Sequence, residues 1–400
     1  MNLDFQRLMK DATQMTRSGD LQAATAAIQA ALAKHLPAKD YTSQFSDAWG
    51  AAAGHLQTAA EKATRPLQEV IDVEARVMPG DSTPPAKEAP QAPPASADQN
   101  PGAGEQFISG SFADASSSRD YKLYIPPNAG QQPMPLVVML HGCTQNPDDF
   151  AAGTAMNEAA RKQGFLVLYP AQSKKANPQG CWNWFKHSHQ TRGRGEPALL
   201  AGMTKDVMAR YLIDANRVFV AGLSAGGAMA AIVGKAYPDI FAAVGVHSGL
   251  AAGAAGDLPS ALSAMSSGPG KAGLAGLKGR NGPIQPAQAN QDSEPSGIPT
   301  IVFHGDADGT VHPCNGDAVI QASAGPSTTV ETENVKTAGQ RNATRRIYRA
   351  PDGKAIAEHW LVHGTPHAWS GGSQKGSYTD PRGPDASAEM MRFFMQHAKA

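Results

Sequence analysis

From Phe107 onward the chain carries five short, nearly continuous runs of strand-forming residues: LVVML (136–140), FLVLY (165–169), RVFVA (217–221), AAVGVHS (242–248) and TIVFHG (300–305). Side chains of a strand point alternately to its two faces, so a run that is apolar at successive positions has to be covered on both. Stretches of helical character separate the runs. This alternation predicts an α/β fold, a mostly parallel sheet flanked by helices. The apolar runs are strand-length, too short to read as transmembrane segments. Lys and Arg together number 35, as do Asp and Glu, so the formal charge is zero and a nucleic-acid backbone is not an expected partner.

The chain before this region reads differently. Over residues 1–76 apolar residues recur at helical spacing (Leu3, Leu8, Met9, Met15, Leu21, Ile28, Leu32), with Pro37 separating two segments. An N-terminal helical segment is therefore expected, followed by a Pro/Ala-rich linker over 77–104 that is too poor in apolar residues to bury a core. The α/β domain then spans 105–400. Residues 251–298, made largely of Gly, Ala, Ser and Pro, are expected to be a flexible insertion above the sheet. The opening MNLDFQRLMKDATQ has no continuous apolar region of the secretory kind, and three cysteines are too few for a disulfide scaffold. A cytoplasmic protein with reduced thiols is the expectation from these features.

The chemistry gathers around RVFVAGLSAGGAM (217–229), in which a strand runs into Gly222-Leu-Ser224-Ala-Gly226 and then into helix-forming residues. G-x-S-x-G between a strand and a helix is a nucleophile elbow: glycines permit the tight turn and the helix N-terminus favours negative charge beside the serine. A serine hydroxyl needs a base, and the base needs an orienting acid. The chain supplies both at later strand ends. TIVFHGDADGTVHP (300–313) offers Asp306 and Asp308, of which Asp308, three residues after Gly305, is favoured, with Asp306 as a turn former. IAEHWLVHGTPHAWSGG (356–372) offers His367. The backbone amides of Ala225 and of Cys143, in HGCTQ (141–145), are the candidate oxyanion donors. His359, His363 and His367 are spaced by four, but Gly364 and Pro366 interrupt any helix there, so zinc binding is not expected.

The blocks HGCTQNPDDFAAGTAMNEAARKQGFLVLYPAQ (141–172), CWNWF (181–185), GLSAGGAM (222–229), FHGDADGTVHP (303–313), HAWSGG (367–372) and DPRGPDASAEMMRFF (380–394) together resemble the esterase family of polyhydroxybutyrate depolymerases, whose relatives include feruloyl and acetyl-xylan esterases. The resemblance spans roughly residues 105–398. It implies an α/β-hydrolase fold and ester cleavage through an acyl-serine, with Ser224 as nucleophile, Asp308 as acid, His367 as base and the HGC loop as oxyanion donor. No metal or organic cofactor is required. The implied substrate is a short-chain polyhydroxyalkanoate or its oligomers, with feruloyl- or acetyl-type plant esters as the alternative. Trp182, Trp184 and Trp369 are expected to wall an apolar acyl site, core packing being the other use of such residues. Cys143 and Cys181 fall in two blocks that the resemblance brings toward the site, which leaves two outcomes open, a disulfide between them or, in a reducing compartment, two thiols. Many members of the family are secreted, which keeps an extracellular location as the alternative. The N-terminal helices suggest a second kind of role, docking on a polymer-granule surface.

Overall fold

The computed structural model describes residues 104–114, 117–268, 297–324 and 328–399. The expected helical segment (1–76), the linker up to residue 103 and most of the expected insertion, positions 269–296, lie outside the described residues.

All five apolar runs form strands. They are β3 (Met134–Leu140), β4 (Leu166–Pro170), β5 (Ile213–Leu223), β6 (Ala243–His247) and β7 (Thr300–Gly305). With β1 (Gln106–Ala113), β2 (Ser118–Ile125), β8 (Thr329–Val335), β9 (Ala343–Arg349) and β10 (Ala355–Val362) they build a ten-stranded sheet ordered β1-β2-β4-β3-β5-β6-β7-β10-β9-β8. The middle, from β4 to β10, is parallel, and the outer strands at each side are antiparallel. A small parallel pair, β11 (Trp369–Ser370) and β12 (Thr379–Asp380), follows.

Alternation of side chains divides the core in two. Leu136, Val138 and Leu140 of β3 and Val218 and Val220 of β5 face one apolar layer. It is closed by α3 (Gly195–Arg210), α4 (Ala225–Ala236), α5 (Leu258–Ser267) and α6 (Cys314–Ser323). Val137, Met139, Phe219, Ala221 and Leu223 face the other layer, closed by α1 (Pro147–Thr154), α2 (Met156–Gln163) and α7 (Ala386–Phe394). This is the physical content of the unbroken apolar runs: each strand serves two cores at once.

Part of the expected insertion is folded, a correction to its reading as a flexible loop. Ala251, Ala252, Ala254 and Ala255 are buried, and α5 begins with a capping box in which Asp257 accepts from Ser260 N at 2.9 Å. Small side chains here allow close packing against the sheet instead of preventing it. In the opposite layer Phe394 of α7 stacks on Phe219, with ring centroids 4.9 Å apart. Phe394→Ala is expected to cost about 3–5 kcal/mol of unfolding free energy, while Val330→Ala on the exposed edge strand β8 changes stability by about 0.5 kcal/mol or less; denaturant melts of both variants check the contrast.

Candidate active site

In the sheet order β5-β6-β7-β10 all neighbours are parallel, so the carboxyl ends of these strands lie along one edge. Ser224 follows β5, Asp308 follows β7 and His367 follows β10, which brings the three sequence-predicted residues to that edge.

The turn at Ser224 is tight enough to leave its backbone in the left-handed half of φ space, at φ 58° and ψ −120°. Such a conformation persists only where surrounding structure holds it. The holding contacts are specific. Ser224 N–H donates to His247 O at 2.9 Å, and a Cβ on Gly226 would collide with the carbonyls of Leu140 and His141. Gly226 is therefore a packing requirement that presses the elbow against the start of the HGC loop. Ala225 opens α4, so its amide has no acceptor within the helix. In the facing loop, Gly142 N donates to Gln145 Oε1 (2.9 Å), Thr144 N to Gln179 O (2.9 Å) and Gln145 N to Gly142 O (3.3 Å). Among the described residues no acceptor takes the amide of Cys143.

Asp308 is buried, and each of its oxygens has two polar neighbours. Oδ1 accepts from Thr310 N and Val311 N, both at 2.9 Å; Oδ2 accepts from His367 Nδ1 at 2.7 Å and lies 3.5 Å from His304 Nε2. Burial alone would raise the carboxyl's pKa, but these donors outweigh it and hold the group well below the usual carboxylate range. An ionised Asp308 can only accept, so His367 carries its proton on Nδ1 and the neutral ring keeps a lone pair on Nε2. His304 Nε2–H donates to Val311 O at 2.8 Å, tying the turn that carries the carboxylate back to β7.

Asp306 does more than shape the turn, which corrects its expected role. Its Oδ2 pairs with His363 Nδ1 at 2.8 Å and its Oδ1 accepts from Gly364 N at 2.7 Å, fastening the end of β10 just ahead of His367. His359 is buried at the start of that spacing-of-four run while His363 and His367 face different carboxylates. Among the described residues no cluster of three metal-binding side chains occurs.

Two buried groups that the sequence reading missed organise the edge. His247 accepts from Ser370 N at Nε2 (2.9 Å), so its Nδ1 carries the proton and faces Ser248 Oγ at 3.2 Å. Its ring lies against Trp369, with centroids 4.9 Å apart. Burial, with His304 and His367 nearby, pushes its pKa well down, so it stays neutral. One residue thus joins the elbow, through its carbonyl, to the segment carrying His367. The second group is Glu196, whose carboxylate accepts from Asn183 N (2.7 Å), Asn183 Nδ2 (2.8 Å) and Gln172 Nε2 (2.5 Å). It anchors the CWNWF segment. A buried His in a strand and a Glu opening a helix look ordinary in sequence, and only their partners give them away.

Cys143 and Cys181 form a disulfide, which corrects the expectation that all thiols are reduced; Cys314 is the free cysteine. The bridge links the HGC loop to the segment that Glu196 anchors. The expected aromatic wall also needs correction. Trp182, Trp184 and Trp369 are all at most 5% exposed, and Trp369 Nε1 donates to Ser387 Oγ at 3.1 Å. Their size makes them fillers of the two cores, where burial gains most.

A family model described as Esterase PHB depolymerase matches residues 119–344. The chain belongs to this esterase family. The poly(3-hydroxyalkanoate) depolymerase C of Paucimonas lemoignei is similar at 31% identity over 238 residues, 58% of this chain and 55% of that protein. A probable acetylxylan esterase A of Aspergillus clavatus shares 32% identity over 143 residues, covering 36% of this chain and 45% of its own length. The feruloyl esterase B of Neurospora crassa shares 33% over 141 residues, 34% of this chain and 47% of that one. The chain thus spans about half the length of the curated relatives it matches. An acetyl xylan esterase structure from Aspergillus awamori superposes with a TM-score of 0.51 at 21% identity, over 74% of this chain and all of that one. The fold is the α/β-hydrolase fold.

Glu196 supplies a prediction with a definite pH sign. Burial would raise its pKa, but the His189 ring 3.4 Å away and the hydrogen bonds from Gln172 and Asn183 hold it below the usual glutamate range. Its ionised form therefore contributes stability that is present above the ordinary glutamate range and lost as pH falls through the folded-state value. Glu196→Ala is expected to destabilise by about 3 kcal/mol near neutrality. The difference from wild type should narrow in denaturant melts taken at progressively more acidic pH.

Proposed function

We propose that this esterase-family chain is a serine carboxylesterase acting on short-chain polyhydroxyalkanoate, poly(3-hydroxybutyrate) above all, or its oligomers. The observation that carries the reading is the 2.7 Å His367–Asp308 pair on the sheet edge where the Ser224 elbow is held in a left-handed turn. In the mechanism, Ser224 Oγ attacks the ester carbonyl carbon while His367 Nε2 takes the hydroxyl proton. Asp308 stabilises the imidazolium that forms. The amides of Cys143 and Ala225 hold the tetrahedral oxyanion. The carbon–oxygen bond to the alcohol then breaks, and His367 returns the proton to the leaving oxygen. Water repeats the sequence on the acyl-serine, releasing the acid and regenerating the hydroxyl. The residues suffice for every proton transfer in this scheme.

The similarity to a depolymerase supports the polyester substrate. The similarity to acetylxylan and feruloyl esterases, over shorter spans but at comparable identity, supports the second reading, small esters of plant origin. Turnover of hydroxybutyrate oligomers against methyl ferulate separates them. For location, no helix among the described residues is long and apolar enough to cross a membrane. The Cys143–Cys181 disulfide supports an oxidising compartment over the cytoplasm. Docking of residues 1–76 on a polymer granule is a separate proposal resting on their amphipathic spacing. Deleting residues 1–100 tests it, since granule association that survives the deletion rules it out.

Ser224→Ala should abolish release of 3-hydroxybutyrate from amorphous granules, with a loss of at least about 10⁴-fold, and should leave thermal unfolding in place. Asp308→Asn should lower kcat by about 10³–10⁴-fold, whereas Asp306→Asn, acting only through His363 and Gly364, should cost about tenfold or less. The reverse ranking would overturn the assignment of the acid.

A further inference from the structure

Tyr378 stands out against the buried tryptophans. It is 46% exposed, one of few large apolar side chains on the described surface, and it is held at φ 52°, a left-handed conformation uncommon for an aromatic residue.

The residue is held at its backbone carbonyl and at its hydroxyl. On one side Tyr378 O accepts from Trp369 N at 2.7 Å, two residues past His367. On the other, its hydroxyl lies 3.1 Å from Thr144 Oγ1, and Thr144 Oγ1 donates to Cys143 O at 2.6 Å. The preceding residue is clamped as well. Asp149 accepts from Ser377 N (2.9 Å) and Ser377 Oγ (2.6 Å), and also from Gln145 Nε2 (2.9 Å). The same Gln145 side chain accepts from Gly142 N (2.9 Å). A single polar node therefore sets the HGC loop and the Tyr378 backbone in register. Tyr378 spans from the loop carrying the oxyanion donor to the loop carrying the base. Ser224 follows β5 on the same sheet edge as the His367 loop.

We propose that Tyr378 is a substrate-contacting, specificity-determining residue, whose exposed ring packs against the hydroxyacyl unit next to the scissile ester. The inference rests on the serine-esterase reading and adds to it which part of the substrate the protein grips outside the reacting carbonyl. A flat, partly exposed ring suits a short, methyl-bearing ester unit: it offers apolar contact to the carbon skeleton while its hydroxyl stays on Thr144. An acetyl ester with a small alcohol has no neighbouring unit and gains nothing from the contact.

The test compares full-length wild type, Tyr378→Gly and Tyr378→Phe on two substrates, a 3-hydroxybutyrate trimer methyl ester and p-nitrophenyl acetate. Glycine removes the ring and suits the left-handed backbone, so the thermal midpoint should hold. The expected result for Tyr378→Gly is a loss of about tenfold in kcat/KM on the trimer, mainly through KM, with about threefold or less on the acetate. Tyr378→Phe should stay within about threefold of wild type on both. A Tyr378→Gly enzyme that keeps wild-type turnover of the trimer, or that loses both substrates in the same proportion, overturns the proposal. Fluorophosphonate labelling keeps the two readings apart. Tyr378→Gly should label at the wild-type rate, and labelling that survives Ser224→Ala would refute the catalytic serine while leaving the trimer-to-acetate ratio to judge Tyr378.

Discussion

The start of α4 runs so close to the end of β3 that the backbone of Gly226 faces the carbonyls of Leu140 and His141 with no room for a side chain between them. Most of the site depends on this approach. It holds the Ser224 turn in a conformation the residue would not keep alone, and it brings the first amide of a helix to the loop that contains Cys143. The helix itself is paid for elsewhere, by the apolar layer in which Met229, Ile232 and Val233 are buried against β3 and β5. Packing far from the serine thus supplies the force that strains the turn at it.

The opposite half of the site is organised by a charge in a dry place. An ionised carboxylate as buried as Asp308 would be costly without compensation. Two backbone amides and the His367 ring supply it, and His304 closes the turn by holding Val311 O. The same burial that keeps His247 neutral lets that ring act as a fixed acceptor for Ser370 N. A histidine that changed charge near neutrality could not serve as a permanent tie between the elbow and the loop carrying His367. Three imidazoles near one carboxylate therefore have separate duties: His367 pairs with Asp308, His304 ties its turn to β7, and His247 fastens the segment after His367.

The five central strands and the order serine, aspartate, histidine were legible because each is a local pattern. An apolar run, a G-x-S-x-G turn and a Gly/Asp-rich strand end are visible within about ten residues. The outer strands were not. β1 alternates between half-buried and exposed positions and β8 is exposed along nearly its whole length, so neither carries the apolar signal of a covered strand. The small side chains after Gly249 suggested a loose insertion, yet alanines pack as closely as larger residues when a sheet lies beneath them. The tryptophans misled in the other direction. The aromatic CWNWF block and a tryptophan two residues past His367 suggest a substrate wall, while their volume is used to fill the cores.

By itself, the sequence determined the doubly covered parallel sheet, the elbow and the identity of the three residues at its edge, because periodicity and turn chemistry act between neighbours along the chain. Only the tertiary structure decided that Cys143 and Cys181 are bridged, that Asp306 fastens His363, that His247 joins the elbow to the segment after His367, and that Tyr378 stands exposed between that segment and the HGC loop. Those pairings join residues separated by 38, 57, 123 and 234 positions. No local rule reads contacts of that range; they exist because the strands carrying them close side by side, and hydrogen-bond geometry selects the partner at the point of contact.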